Sequence, residues 1–281
     1  MATNVEQNKE YNNTIGNGAT RQMTHEEHET AKAAARFGYG PLAHVNTAES
    51  RLPAFGGEFQ PGTYRSVSER KFANPAPLGL SAFALTTFVL SLINVGTRGL
   101  SEPNIVVGIA FGYGGLVQLL AGMWEMAVGN TFGATALSSY GGFWIAFGII
   151  LTPGGFDIVT SAGTQFTDDF GLFLIGWFIF TTILLIATLR STVAFFFLFF
   201  TLDMAFLLLG IGYLENTAGT PQASCIKAGG VFGLLAAFMA WYNALAGILD
   251  DSNSFFVIPV AHFPWSVTGQ NKRAKEERGT V

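Results

Sequence analysis

The sequence predicts an all-α membrane protein: a bundle of six transmembrane helices with both termini cytoplasmic. Three observations carry this. Charged residues are only 12% of the 281, about half the ~25% usual in soluble domains. The charges are also segregated. Residues 1–71 hold 8 Lys/Arg and 8 Asp/Glu, residues 250–281 hold 4 and 4, and the 178 between hold 3 and 7. Finally, that charge-poor block contains six apolar windows close to the ~20 residues that cross a bilayer.

Taken in order, residues 1–70 form a polar N-tail rich in Asn, Thr, Glu and Gly. It has too little apolar surface to offset ordering, so residues 1–60 are expected to be largely disordered. It carries no apolar stretch of the kind a cleavable signal needs. The transmembrane domain is expected over 71–250, with windows Pro77–Val95, Asn104–Val128, Ala136–Leu151, Phe170–Leu189, Thr192–Tyr213 and Ala228–Leu249. The first begins at Asn74-Pro75-Ala76-Pro77. Asn is a favoured N-cap and Pro is tolerated in the first turn, where its missing N–H has no partner to lose. This start reads either as simple capping or as an anion site at a helix N-terminus. In the second and sixth windows, Gly108–Gly112 and Gly229–Gly233 have the spacing that lets membrane helices approach closely. A faint echo links GGLVQLLAG at 114–122 with GGVFGLLAA at 229–237, either an internal repeat or chance likeness. Thr152-Pro153-Gly154-Gly155 ends the third window, and Thr152–Asp169 is the longest loop. The connection at Arg190-Ser191 is so short that the fourth and fifth helices must be antiparallel neighbours. A cytoplasmic C-tail, 251–281, completes the chain.

Orientation follows the distribution of Lys and Arg in short flanks. Arg65, Arg70, Lys71, Arg190, Lys272, Arg273, Lys275 and Arg278 all fall inside if the N-terminus is inside, leaving Arg98 and Lys227 outside.

Several function classes are excluded. The net charge of −4 gives no nucleic-acid footprint. The lone Cys225 allows no internal disulfide and no CxxC site, and all four histidines lie in the tails. The spans hold no Ser/His/Asp set, metal cluster or nucleotide loop, so neither an enzyme nor a cofactor or metal is expected. Phe111–Gly115 is glycine-rich but lies within an apolar helix and lacks a following Lys.

Two long motifs carry a resemblance. The first is Asn74-Pro75-Ala76-Pro77-Leu78-Gly79-Leu80. The second has Glu125, then Gly129-Asn130-Thr131-Phe132-Gly133, Thr135 and Ser139-Tyr140-Gly141-Gly142-Phe143-Trp144. In order and spacing they resemble the acetate uptake transporter family: the succinate–acetate permeases of bacteria and the acetate and ammonia transporters of fungi. The likeness covers about residues 71–250, and the long N-tail is similar to the fungal branch. It implies a hexamer in the plasma membrane of a fungal cell, with a pore in each protomer. The function implied is transport of acetate and related short mono- and dicarboxylates, coupled to protons. Ammonia or ammonium export, or an acetate sensor with little flux, are the alternatives. The pore constriction carries over to Phe83, Tyr140 and Leu202. Motif residues Asn74, Pro75, Pro77, Leu78, Gly79, Glu125, Asn130, Thr131 and Thr135 carry over as substrate-binding candidates. An apolar ring disfavours hydrated ions, whereas a methyl-ended carboxylate tolerates it and Tyr140 can offer it a hydroxyl.

Two acids remain. Glu125 has either a functional role or a structural one, paired with Asn130 or Thr131. Asp203 lies mid-helix in FFFLFFTLDMAFLLLGIG, where an acid costs ~3 kcal/mol on insertion scales. It is either a proton site that titrates with transport or a neutral group bonded to a neighbouring helix or protomer.

Overall fold

The computed structural model describes residues 14–15, 19–20, 73–250 and 253–279. The chain divides into two units, 1–52 and 53–281. Described residues of the first unit are two short strands, β1 (Thr14–Ile15) and β2 (Ala19–Thr20), paired antiparallel with Thr14 opposite Thr20. The expectation of disorder over residues 1–60 otherwise lies outside the described residues.

The second unit contains six helices long and apolar enough to cross a membrane. These are α1 (Ala76–Val95), α2 (Asn104–Ala127), α3 (Thr131–Leu151), α4 (Phe166–Thr188), α5 (Val193–Leu214) and α6 (Ala223–Ile248). A seventh, α7 (Val267–Gly279), lies in the C-tail. α1 packs on α6, α6 on α5, α5 on α4, and α2 on α3. Large apolar side chains, among them Leu120, Met123, Ile179, Ile183 and Ile186, are exposed on the outside of the bundle. On a helix of this length such a face suits hydrocarbon, where it has no water to avoid.

Where boundaries differ from the apolar windows, the cause is a polar first turn. α3 begins five residues earlier than its window because Asn130 Oδ1 accepts the Gly133 N–H at 3.0 Å. Gln222 Oε1 likewise accepts the Cys225 N–H at 2.6 Å and starts α6, and Thr192 Oγ1 accepts that of Phe195 at 3.1 Å to start α5. The Thr152–Asp169 loop is partly helical, with turns at Ile158–Ala162 and Gly163–Gln165 before α4. At α1 the cap is Pro75 and not Asn74. Asn74 sits one residue further out, and its Oδ1 accepts the Ala76 N–H at 3.0 Å. α1 ends at Gly96, whose φ of 79° is a left-handed cap that glycine adopts without strain.

The C-tail is fastened to the α4–α5 turn. Val193 N–H donates to Ala261 O at 2.7 Å, and Trp265 Nε1 donates to Leu189 O at 2.7 Å.

Close approach occurs at Gly229 and Gly233, which face Leu209 and Ser91. Gly108 and Gly112 instead have nothing within 4 Å where a Cβ would stand, so the second small-residue pair brings no helix of this chain closer. α2 also departs from regular geometry. Gly112–Val117 forms a π-helical turn, whereas the echoing segment in α6 is regular α-helix. A Cβ at Gly114 would lie 2.5 Å from Thr86 Oγ1, so this turn depends on glycine to sit against α1. Directly after the turn comes Gln118.

Candidate functional site

A large and a small cavity lie among the described residues of the second unit. The larger, 390 Å³, opens among the C-terminal part of α1, the start of α6 and the α3–α5 core; Leu100, Pro221 and the exposed Lys227 are at its rim. The smaller, 20 Å³, has room for about one water. It is bounded by Leu80 and Phe83 of α1, Gln118 of α2, Tyr140 of α3, and Phe199 and Leu202 of α5. Phe83 and Leu202 line both cavities. The structure therefore brings Phe83, Tyr140 and Leu202 together from three helices, with all three side chains buried. The Phe83 and Tyr140 rings are 6.0 Å apart at 49°, and Phe206 stacks on Tyr140 at 6.4 Å and 13°.

Hydrogen bonding at this ring is directional. Thr181 Oγ1 donates its one hydrogen to Trp177 O at 2.7 Å. The Tyr140 hydroxyl, 2.9 Å from Thr181 Oγ1, is therefore the donor of that pair. Its hydrogen is already placed, so the expectation that Tyr140 offers it to a carboxylate requires the Thr181 bond to break. Gln118 is different. It is fully buried, and neither Nε2 nor Oε1 has a partner. An unpartnered buried amide costs roughly 1–3 kcal/mol by protein mutational scales. Thr87 and Trp144, whose Oγ1 and Nε1 are also buried without partners, belong to the wall of the larger cavity.

The remaining candidates lie elsewhere. Asn74, Pro75, Pro77 and Leu78 form the start of α1, with Leu78 half-exposed. Pro77 and Asn74 face Gly247 of α6, and Gly79 packs against Leu137 and Ala121. Glu125 and Asn130 are buried at the α2–α3 turn, where Asn130 Nδ2 donates to Glu125 Oε2 at 2.6 Å. Asn130 thus joins the end of one helix to the start of the next, and of the two partners expected for Glu125 this is the one present. Thr131 and Thr135 are exposed, and Thr135 Oγ1 donates to Thr131 O at 2.8 Å. None of these motif residues lines either cavity.

Asp203 is buried, adjacent to Leu202 in sequence, but about 100° further round the helix. It lines neither cavity and faces α4, where Thr182 Oγ1 is 2.9 Å from its Oδ1. Phe178 O is also 3.0 Å from the Thr182 hydroxyl. The Thr182 hydroxyl hydrogen is thus shared between the Asp203 carboxyl and the carbonyl of its own helix.

Gln118, Thr181 and Thr182 were not singled out from sequence. Gln118 had a signal, as the one amide in the apolar run of α2. The adjacent threonines had none, because Thr in a membrane helix is ordinary.

Comparison with known proteins agrees with this architecture. The model of the GPR1/FUN34/yaaH family matches residues 55–265. Acetate permease A of Emericella nidulans is 71% identical over 92% of this chain and 88% of its own. Ammonia transport outward protein 2 of Saccharomyces cerevisiae is 50% identical over 73% of this chain and 71% of its own. The succinate-acetate/proton symporter SatP of Escherichia coli is 38% identical over 69% of this chain and 98% of its own. A solved structure of the bacterial acetate channel SatP superposes with a TM-score of 0.60 at 36% identity, covering 68% of this chain and all of that one. With a family match spanning most of its length and relatives this similar, the chain belongs to the GPR1/FUN34/yaaH family.

Proposed function

We propose that this protein carries acetate and related short mono- and dicarboxylates across the membrane, together with protons. The path runs from the large cavity through the ring of Phe83, Tyr140 and Leu202. One observation carries the reading: a wide and a narrow cavity meet at Phe83 and Leu202, in a chain 71% identical to an acetate permease. The large cavity has Lys227 at its rim, which suits drawing in an anion. The ring beyond it is apolar, which disfavours hydrated ions by dewetting.

The motif residues take supporting parts in this reading. Asn74, Pro75, Pro77, Leu78 and Gly79 fix the entry of α1 against α6 and α3. Glu125 and Asn130 fix the α2–α3 turn, and Thr131 and Thr135 complete the first turn of α3. Asp203 holds α5 on α4 through Thr182. The plasma membrane of a fungal cell, cytoplasmic termini and a hexamer with one path per protomer complete the proposal. The apolar outer faces of the bundle are compatible with packing among protomers.

The test uses purified protein in liposomes. Labelled acetate uptake is measured with and without an inward proton gradient, beside labelled methylammonium, and again for Tyr140→Ala. Acetate uptake that responds to the gradient and changes in the variant supports the reading. The name of the yeast relative favours ammonium as the second reading; methylammonium flux without acetate flux would establish it here, and no flux of either would favour a sensor.

A further inference from the structure

We infer that the C-tail is a latch: residues 259–266 clasp the first turn of α5, whose other side is the narrow end of the path, and flux requires this clasp to loosen. This rests on the path proposed above and adds the element that governs it.

Along α5 the large cavity is lined from Tyr213 back to Leu202, and the small one from Leu202 back to Phe195. Neither reaches Val193 or Ala194, which start the helix. Instead Phe195 and Phe199 pack edge-on against Phe132 of α3, with ring centroids at 5.5 and 5.3 Å. All three rings are buried. A solute beyond Phe83, Tyr140 and Leu202 therefore meets this packed trio, and a displacement of the first turn of α5 from α3 opens it.

The tail holds the same turn from the other side. Thr192 and His262 form an antiparallel bridge, and Val193 N–H donates to Ala261 O at 2.7 Å. Phe196, about 100° round the helix from Phe195, meets the ring of Phe263 at 5.6 Å and 82°. Phe263 stacks on Trp265 at 4.9 Å and 13°, and Trp265 Nε1 donates to Leu189 O at 2.7 Å, just before the turn. Tyr242 of α6 anchors the clasp itself by donating to Pro259 O. From within the bundle, Asn243 Nδ2 reaches Ala194 O at 3.3 Å, a longer bond than either of the two from the tail.

The clasp is nonetheless a surface feature. Ala261, Pro264 and Trp265 are exposed, whereas Thr192 and Phe195 beneath them are buried. Contacts at exposed positions open at lower cost than those of a core. A tail held in this way favours the closed arrangement of α5 without making it permanent.

The experiment uses the full chain in liposomes and labelled acetate, with initial rates expressed per folded protein. In a Cys225→Ser background, Thr192→Cys and His262→Cys supply the only thiols. The bond from Val193 to Ala261 marks these two positions as a non-hydrogen-bonded pair, ~4.5 Å between Cα atoms and within the reach of a disulfide. Oxidation is expected to lower uptake at least about tenfold by holding the clasp shut, and reduction to restore it. Trp265→Phe keeps a ring on Phe263 and loses the bond to Leu189, and should raise the rate about fivefold, the factor that one hydrogen bond is worth. A tail that only adds stability would not make uptake faster. Equal uptake by the oxidised and reduced forms would overturn the latch. If the paired variant does not fold or does not form the disulfide, Trp265→Phe decides: a faster rate supports the latch, and an unchanged or slower one overturns it. Wild-type protein with no acetate uptake would overturn the carboxylate reading and the latch with it, whereas normal wild-type uptake indifferent to both changes overturns the latch alone.

Discussion

The Tyr140 hydroxyl and Thr181 Oγ1 lie 2.9 Å apart, and the hydrogen between them belongs to Tyr140. The ring residue of α3 is thereby held to α4, and its aromatic face is fixed toward Phe83 and Phe206. In the proposed pathway, the part of Tyr140 that meets substrate is its ring.

Tyr140→Phe is therefore expected to keep acetate uptake within about threefold of wild type, while losing about 1 kcal/mol of stability with the Thr181 bond. Tyr140→Ala removes the ring and is expected to change both rate and selectivity. Uptake assays and thermal melting of both variants check this. A Tyr140→Phe variant as impaired as Tyr140→Ala would mean that the hydroxyl, after all, contacts substrate.

Leu202 touches both cavities. Truncation to Ala joins them over a wider opening and leaves a void in a buried, closely packed region. The expected result is faster uptake of larger carboxylates, such as lactate and succinate, relative to acetate. A stability loss of about 2–5 kcal/mol is expected alongside. Competition of each acid against labelled acetate reads the first effect, and melting temperature the second.

Much of this was legible in the sequence because a membrane span is specified by length and polarity alone. The α1 and α5 windows matched to within one residue at each end, since their flanks are sharply polar. α3, α4 and α6 began earlier than their windows, because a helix in contact with water or a cap needs no apolar first turn. The meeting of Phe83, Tyr140 and Leu202 was reached by resemblance and not by periodicity, which is uninformative in helices apolar all round. The π-turn was illegible: Gly112–Val117 reads as ordinary helix until Gly114 is seen against Thr86. So was the separation of the two signature motifs from the cavities, as a motif reveals which residues recur and not which way they face.

Asn130 makes four bonds at the α2–α3 turn: its Oδ1 caps α3, its Nδ2 reaches Glu125, its N–H donates to Glu125 O at 2.9 Å, and its O accepts the Ala134 N–H at 2.9 Å. Asn130→Ala removes the first two and leaves the buried Glu125 without that donor. A loss of about 2–4 kcal/mol is expected, adding a helix cap to a buried side-chain hydrogen bond. Asn130→Asp keeps the cap while placing a second acid beside Glu125, and should recover only the capping part. Melting temperatures of the purified variants separate the two contributions.

Asp203→Asn distinguishes a structural carboxyl from a proton carrier. The Asn amide oxygen can accept from Thr182 Oγ1 as the carboxyl does, so the α4–α5 contact is preserved. If the carboxyl is structural, the variant should keep its response to an inward proton gradient, with the same pH profile of uptake as wild type. Asp203→Leu, which offers no acceptor to Thr182, should lower stability by about 1–3 kcal/mol without altering that profile. Uptake that no longer follows the gradient in Asp203→Asn, in protein that melts normally, would instead place the proton on Asp203 and make its seat beside Leu202 part of the transport path.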